Sequence, residues 1–405
     1  MNRYVSLDLL RGIAIFGMIF SAIIPYGELP TWMYHIQNPP PTHQLDISVN
    51  GIGWVDFVFP LFIFCMGVAI PLSGRRRLSI SDKEEAGKSY LKSVFIRFLM
   101  LWAFSYLYIF MNFSQAHGWQ SNLATILGFF LLFVIFFDYS KSVKLSKYMG
   151  KIKMYGWLSI VTLILVGHFK FGEVISLNRS GIIIFLLAFL YLFGSLIWYF
   201  TRDNRQHRLL AFIAILAFCA VTMPFGLQAK LYAIPEICWF FNMEYIYFLL
   251  IVIPATYIGD ILQSKGKQEL FKTGAIIGGA AIAAGLLSML IEGGITKVPC
   301  TVSYCFVTFG VALLLLILAE SVIKNIEQSW PIRLFAGAGV NPLMSYVAFG
   351  SLVMPLMELT GLIHIYNMTY PSGYPWIGVV RAFVFVLLTL ALVAKLSENK
   401  IYWKA

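Results

Sequence analysis

The sequence predicts an all-α, polytopic membrane bundle of about 12 transmembrane helices, and three observations predict it. Of 405 residues, 59% are hydrophobic and only 12% are charged, about half the charged share of an average soluble domain. The apolar residues fall in long continuous runs rather than scattered. Lys and Arg collect in alternate connecting segments. Such a chain has too much apolar surface for a soluble enzyme, a disordered chain or a nucleic-acid-binding domain. The net charge of +11 is therefore read as a membrane signal, with the lipid bilayer as partner and no nucleic acid.

A helical span needs about 20 mostly apolar residues. Twelve runs qualify: 5–24, 53–73, 91–113, 121–138, 154–170, 181–200, 208–224, 243–262, 272–291, 301–319, 334–356 and 376–396. They are Leu/Ile/Phe-rich and lack the period-2 alternation of a membrane barrel, so helices are expected. The first run carries Asp8 and Arg11 and no small-residue cleavage site follows, so it reads as a retained helix, not a signal peptide.

The charge bias sets the orientation. With the N-terminus inside, 23 Lys and Arg fall in cytoplasmic segments; Lys170, Arg179, Lys230 and Lys297 fall outside, and Arg11, Arg97 and Arg381 fall within spans. A 23-to-4 split matches the positive-inside rule and supports twelve spans, both termini cytoplasmic and, as the setting, the inner membrane of a bacterium. The whole chain, 1–405, reads as one transmembrane domain. Its five cysteines show no CxxC pair and suggest neither disulfides nor a metal site.

The loop 25–52 is the expected extracytoplasmic active-site loop. It holds no Lys or Arg, but has Glu28, Trp32, His35, His43, Asp46 and the run Pro39-Pro40-Pro41, which stiffens the chain. A histidine is the usual proton acceptor near neutral pH; ordinary loop histidines bonded to backbone or water are the competing reading. The acidic, cation-free loop suits a cationic substrate at short range. Asp56 lies just inside the second span. It reads either as the partner that orients a loop histidine or as a helix N-terminal acid favoured by the dipole.

Asp8 and Arg11, three residues apart, share one face of the first helix and are expected to be structural. Arg75, Arg76 and Arg77 close the second span; their planar forks suit phosphate, although the positive-inside signal alone would place them there. Asn341 precedes Pro342 inside the eleventh span, where proline frees backbone carbonyls and a broken helix can line a cavity or simply kink.

Three segments together carry a family resemblance. Ser6-Leu7-Asp8-Leu9-Leu10-Arg11-Gly12-Ile13-Ala14, Asn50-Gly51-Ile52-Gly53-Trp54-Val55-Asp56-Phe57-Val58-Phe59-Pro60 and Phe62 to Ser73 resemble the heparan-alpha-glucosaminide N-acetyltransferase family, in its bacterial branch. Trp32-Met33-Tyr34-His35, Thr301-Val302-Ser303-Tyr304 and Gly339-Val340-Asn341-Pro342-Leu343 fit the same pattern. The likeness is strong over about the first 75 residues, thin in the middle and moderate near 300–350.

The resemblance implies transfer of an acetyl group from cytosolic acetyl-CoA, as co-substrate, to a glucosamine-type amine outside, with no metal. It implies a catalytic histidine in the loop between the first two spans, acting either as general base or as a nucleophile that carries the acetyl group briefly. His43 is the preferred match, His35 the reserve, and Asp56 the orienter. Arg75, Arg76, Arg77 and Asn341 are assigned to acetyl-CoA, and Asp46, Glu28 and Trp32 to the amino-sugar acceptor. Ala22 stands where the family has a functional asparagine, which keeps an inactive relative open. A twelve-helix transporter with a midplane site is the rival class, and a homodimer is left open.

Overall fold

The computed structural model of the chain describes residues 4–79, 83–141, 143–222, 230, 234, 244–264, 266–370 and 373–404. Arg3, Cys238, Lys265 and the ends of the expected runs 208–224 and 243–262 lie outside the described residues. Among the described residues, twelve helices are long and apolar enough to cross a membrane, and no strand forms. The protein is a multi-pass helical bundle.

Ten long helices come first among the described residues: α1 (Val5–Ile23), α2 (Trp54–Leu78), α3 (Lys83–Phe110), α4 (Trp119–Phe136), α5 (Met149–Phe171), α6 (Ile182–Thr201), α7 (Arg205–Thr222), α8 (Glu244–Ser264), α9 (Gly266–Glu292) and α10 (Val302–Ile326). Each covers one apolar run of the sequence. Several extend past it, because polar ends such as Lys83–Lys88 continue the helix beyond the apolar window.

The eleventh run behaves differently. The expected segment 334–356 is broken at Asn341: α11 (Trp330–Val340) stops there and α12 (Pro342–Ala348) starts with Pro342 at its first position. Proline has no N–H to continue the ladder and suits a helix start. A π-helical turn over Phe349–Val353 leads into α13 (Met354–Thr360), so the membrane-length stretch is Pro342–Thr360. After α14 (Leu362–Met368), α15 (Pro375–Glu398) forms the last span.

The chain divides into two compact units. One comprises Met1–Leu10, Pro30–Trp102 and Ile182–Glu327; the other comprises Arg11–Leu29, Ala103–Gly181 and Gln328–Ala405.

In the first unit α2 packs against α6, α8 and α10. Small residues let the backbones approach, as is usual where lipid removes the hydrophobic drive between helices. A Cβ on Gly259 of α8 would stand 2.3 Å from the Val68 carbonyl oxygen of α2, and one on Gly67 would stand 2.7 Å from Ala255 Cβ. Gly74 accepts the ring of the fully buried Trp198.

In the second unit α11 lies against α15, and α4 against α5. Gly12 meets the Phe335 backbone: an added Cβ would be 1.9 Å from its carbonyl oxygen. The C-terminal segment returns to this unit. Trp403 packs among Phe104, Phe129, Phe133 and Phe136, and the Lys404 N–H donates to the Phe136 carbonyl at 2.7 Å.

Candidate functional site

The site is built where the loop after α1 meets the first turn of α2. Gly53 caps α2, so Asp56 occupies the third helical position, where an acid reaches back to the capping N–H. Asp56 Oδ2 accepts from the Gly53 N–H at 3.1 Å and from the Ile36 N–H at 3.2 Å. Its other oxygen, Oδ1, lies 2.6 Å from His35 Nδ1. One carboxylate thus caps the helix and also bonds a loop histidine.

The pair is asymmetric in exposure. The Asp56 side chain is 4% exposed and that of His35 is 40% exposed. With Nδ1–H donating to the carboxylate, Nε2 is the basic nitrogen, and the half-exposed ring can offer it to a reactant. A third member comes from the α9–α10 connection. Lys297 Nζ lies 3.5 Å from His35 Nδ1 and 4.0 Å from Asp56 Oδ1. Loop 25–52 itself has no Lys or Arg, but the fold brings the Lys297 ammonium to its histidine.

Two buried side chains fix this register. Gln37, 4% exposed, accepts from the N–H groups of Lys297 at 3.2 Å and Val298 at 2.9 Å. It also donates to the Val298 carbonyl at 2.6 Å. The Gly51 N–H donates to the Ile295 carbonyl at 2.8 Å, with Gly51 at φ 139, a conformation that favours glycine. Tyr304, buried in the first turn of α10, also reaches the first turn of α2.

His43, the preferred base, is placed elsewhere. It is 8% exposed, its ring stands edge-on to Tyr34 with centroids 4.5 Å apart, and its backbone is left-handed at φ 50. Asn38 donates to its carbonyl at 3.1 Å. Its surroundings fit loop packing, so the histidine preference moves to His35, the one that Asp56 holds.

The remaining expected residues have other partners. Asp46 is exposed and accepts from the Ser48 hydroxyl and N–H; those bonds, the hydroxyl first, hold its carboxyl below the usual range. Trp32 is half exposed, in a single 3-10 turn over Thr31–Met33. Glu28 accepts from the Tyr370 hydroxyl. Asp8 is buried in α1, and Arg11 donates to the Gly339 carbonyl at 3.5 Å. Asn341 is fully buried, donating to the Ile401 carbonyl at 3.0 Å and accepting from the Trp403 N–H at 3.1 Å. Its amide thus anchors the C-terminal segment, and we assign it no ligand.

At the other end of α2 the arginines differ among themselves. Arg75 Nε donates to Asp260 Oδ1 at 2.8 Å, and Arg208 Nη1 donates to Asp260 Oδ2 at 2.6 Å. Arg77 donates to Ser93, and Arg76 is exposed. The 19 residues from Asp56 to Arg75 rise roughly 28 Å, about one hydrocarbon thickness.

Sequence reasoning missed Lys297, Gln37, Asp260 and Arg208. Asp260 and Arg208 did carry a signal, being ionisable residues beside or within apolar runs. Gln37 carried none.

A family model described as a domain of unknown function (DUF5009) matches residues 3–262, more than half of the chain. No curated protein matches the sequence.

Proposed function

The chain belongs to the DUF5009 family, and from that premise we propose that it is an integral-membrane N-acetyltransferase. It moves an acetyl group from cytosolic acetyl-CoA to the amine of a glucosamine-type sugar on the far side of a bacterial inner membrane. The observation that supports this reading most is the His35–Asp56 pair at 2.6 Å, at the opposite end of α2 from Arg75.

In water the acceptor is an ammonium and not a nucleophile. One of its protons is released to solvent. His35 Nε2 takes a second as nitrogen attacks the thioester carbonyl; the C–N bond forms, the C–S bond breaks, and the proton passes to the leaving sulfur to give the thiol. Asp56 holds the imidazole in the tautomer this requires, and Lys297 supplies positive charge where the carbonyl oxygen becomes anionic. Arg76 and Arg77, both exposed, meet the CoA phosphates. Trp32 offers a sugar ring an aromatic face.

The test is incubation of the purified chain with labelled acetyl-CoA and a panel of glucosamine-terminated sugars. Label in the sugar amide, abolished by His35→Gln, is the expected result. No transfer with any amino sugar, together with CoA-independent uptake of a small molecule, would replace this reading with that of a carrier.

A further inference from the structure

The second compact unit contains a cavity of about 590 Å³ that the acetyl-transfer reading does not use. It is formed by the turn after α3 and the segment between α5 and α6. Asn112, Ser114, Ser121, Arg179 and Ser180 supply its polar lining, and Phe113 part of its apolar wall.

The lining is rich in donors. Thr125 donates to Asn112 Oδ1 at 3.0 Å, which assigns the acceptor end of that amide to the protein. Ser121 donates to the Phe113 carbonyl at 2.7 Å. Glu173, 5% exposed, is not among the lining residues but bonds to two of their segments. It accepts from the Gln115 N–H and from Ser114 Oγ at 3.0 Å, and it lies 3.7 Å from Arg179 Nη1. Arg179 Nη2 donates to Ser114 Oγ at 3.1 Å. The guanidinium is thereby held at the cavity by its ion pair with Glu173 and its bond to Ser114, while its side chain stays 37% exposed. That arrangement suits a single oxyanion, and the guanidinium fork suits phosphate in particular.

What surrounds the cavity says where such a phosphate comes from. Trp119 is 63% exposed at the start of α4, and Phe169 is 81% exposed at the end of α5. Leu123, Leu127 and Phe130 continue an exposed stripe along α4 at helical spacing. In a membrane-spanning chain such a stripe faces acyl chains, and exposed aromatic residues at span ends mark the headgroup level.

We propose that this cavity seats the phosphodiester of an anionic phospholipid, with Arg179, Asn112 and Ser180 as its donors and the lipid tails lying along α4. The site is independent of His35 and Asp56 and stands whether or not acetyl transfer is found.

Native mass spectrometry of the delipidated full chain in detergent tests it, by titration with phosphatidylglycerol, phosphatidylcholine or glycerol 1-phosphate. The wild-type chain is expected to take up phosphatidylglycerol in preference to the other two. Arg179→Gln is expected to weaken that first binding event about tenfold, a typical loss for one charge-assisted contact. Ser180→Phe, which fills the cavity and keeps the charge, is expected to do the same. Unchanged binding in both variants overturns the proposal. Glycerol 1-phosphate binding as tightly as the lipid also overturns it, by assigning the cavity to a soluble phosphate ester. Should Arg179→Gln fail to fold, Ser180→Phe and the wild-type titrations decide.

Discussion

The Tyr304 hydroxyl donates to the Asp56 backbone carbonyl at 2.5 Å, joining the first turn of α10 to the first turn of α2. The bond fixes the peptide that carries the carboxylate rather than the carboxylate itself. Tyr304→Phe keeps the ring and removes only the donor, so it is expected to cost about 1 kcal/mol of stability. If the proposed activity holds, transfer should fall several-fold in kcat with KM little changed. An unchanged kcat in steady-state assays would show that the tyrosine serves packing alone.

The two histidines give opposite expectations. His35→Gln and Asp56→Asn should each lower acetyl transfer by about 10² to 10⁴, the range for a lost general base or its support. His43→Gln should leave transfer within a few-fold of wild type while lowering the melting temperature, because His43 is buried against Tyr34. Activity that survives His35→Gln and vanishes with His43→Gln would reverse the assignment.

Helix contact makes a test with an internal control. Gly259→Ala drives a methyl to 2.3 Å from the Val68 carbonyl oxygen, so α2 and α8 must separate, at a cost of about 1–3 kcal/mol. Gly279→Ala, on α9, meets nothing within 4 Å, and the better helix propensity of Ala should leave stability equal or higher by up to about 1 kcal/mol. Thermal melts of both variants in one detergent check the ordering.

Acid should loosen the C-terminal segment. Burial opposes ionisation of Asp138, but Lys404, 2.6 Å away, and Ser140 outweigh it, so its carboxyl is held below the usual range. A carboxyl with a depressed folded-state pKa contributes stability above the usual Asp value of about 3.9, and loses it as pH falls through the lower folded value. Lys404 is largely exposed, so the contribution is about 0.5–1 kcal/mol. Lys404→Met should melt lower than wild type at pH 7 and converge with it as the pH falls below the usual Asp range. Parallel curves across that interval would contradict the assignment.

The sequence made the spans legible because each is an apolar run long enough to stand alone, and α2 ends where Arg75 to Arg77 begin to dominate. The break at Asn341 was legible for a different reason: Pro342 cannot continue a helix. The site was half legible. Asp56 announced itself as an acid at the mouth of a span. The choice between His35 and His43 could not be read, because it depends on how loop 25–52 folds back. That return is set by Gln37 bonding to Lys297 and Val298, some 260 positions away, and no local pattern encodes such a pairing. Lys297 was missed for the same reason, and so its charge was left out of the site.

Gln37 also sets an order of assembly. While the chain is being synthesised, α1 and α2 can insert and cap themselves from nearby residues, yet the peptide that fastens the histidine loop emerges only after α9. A chain truncated after residue 262, where the family match stops, would keep its first helices, His35 and Asp56, but would lack the clasp and the lysine that complete their surroundings.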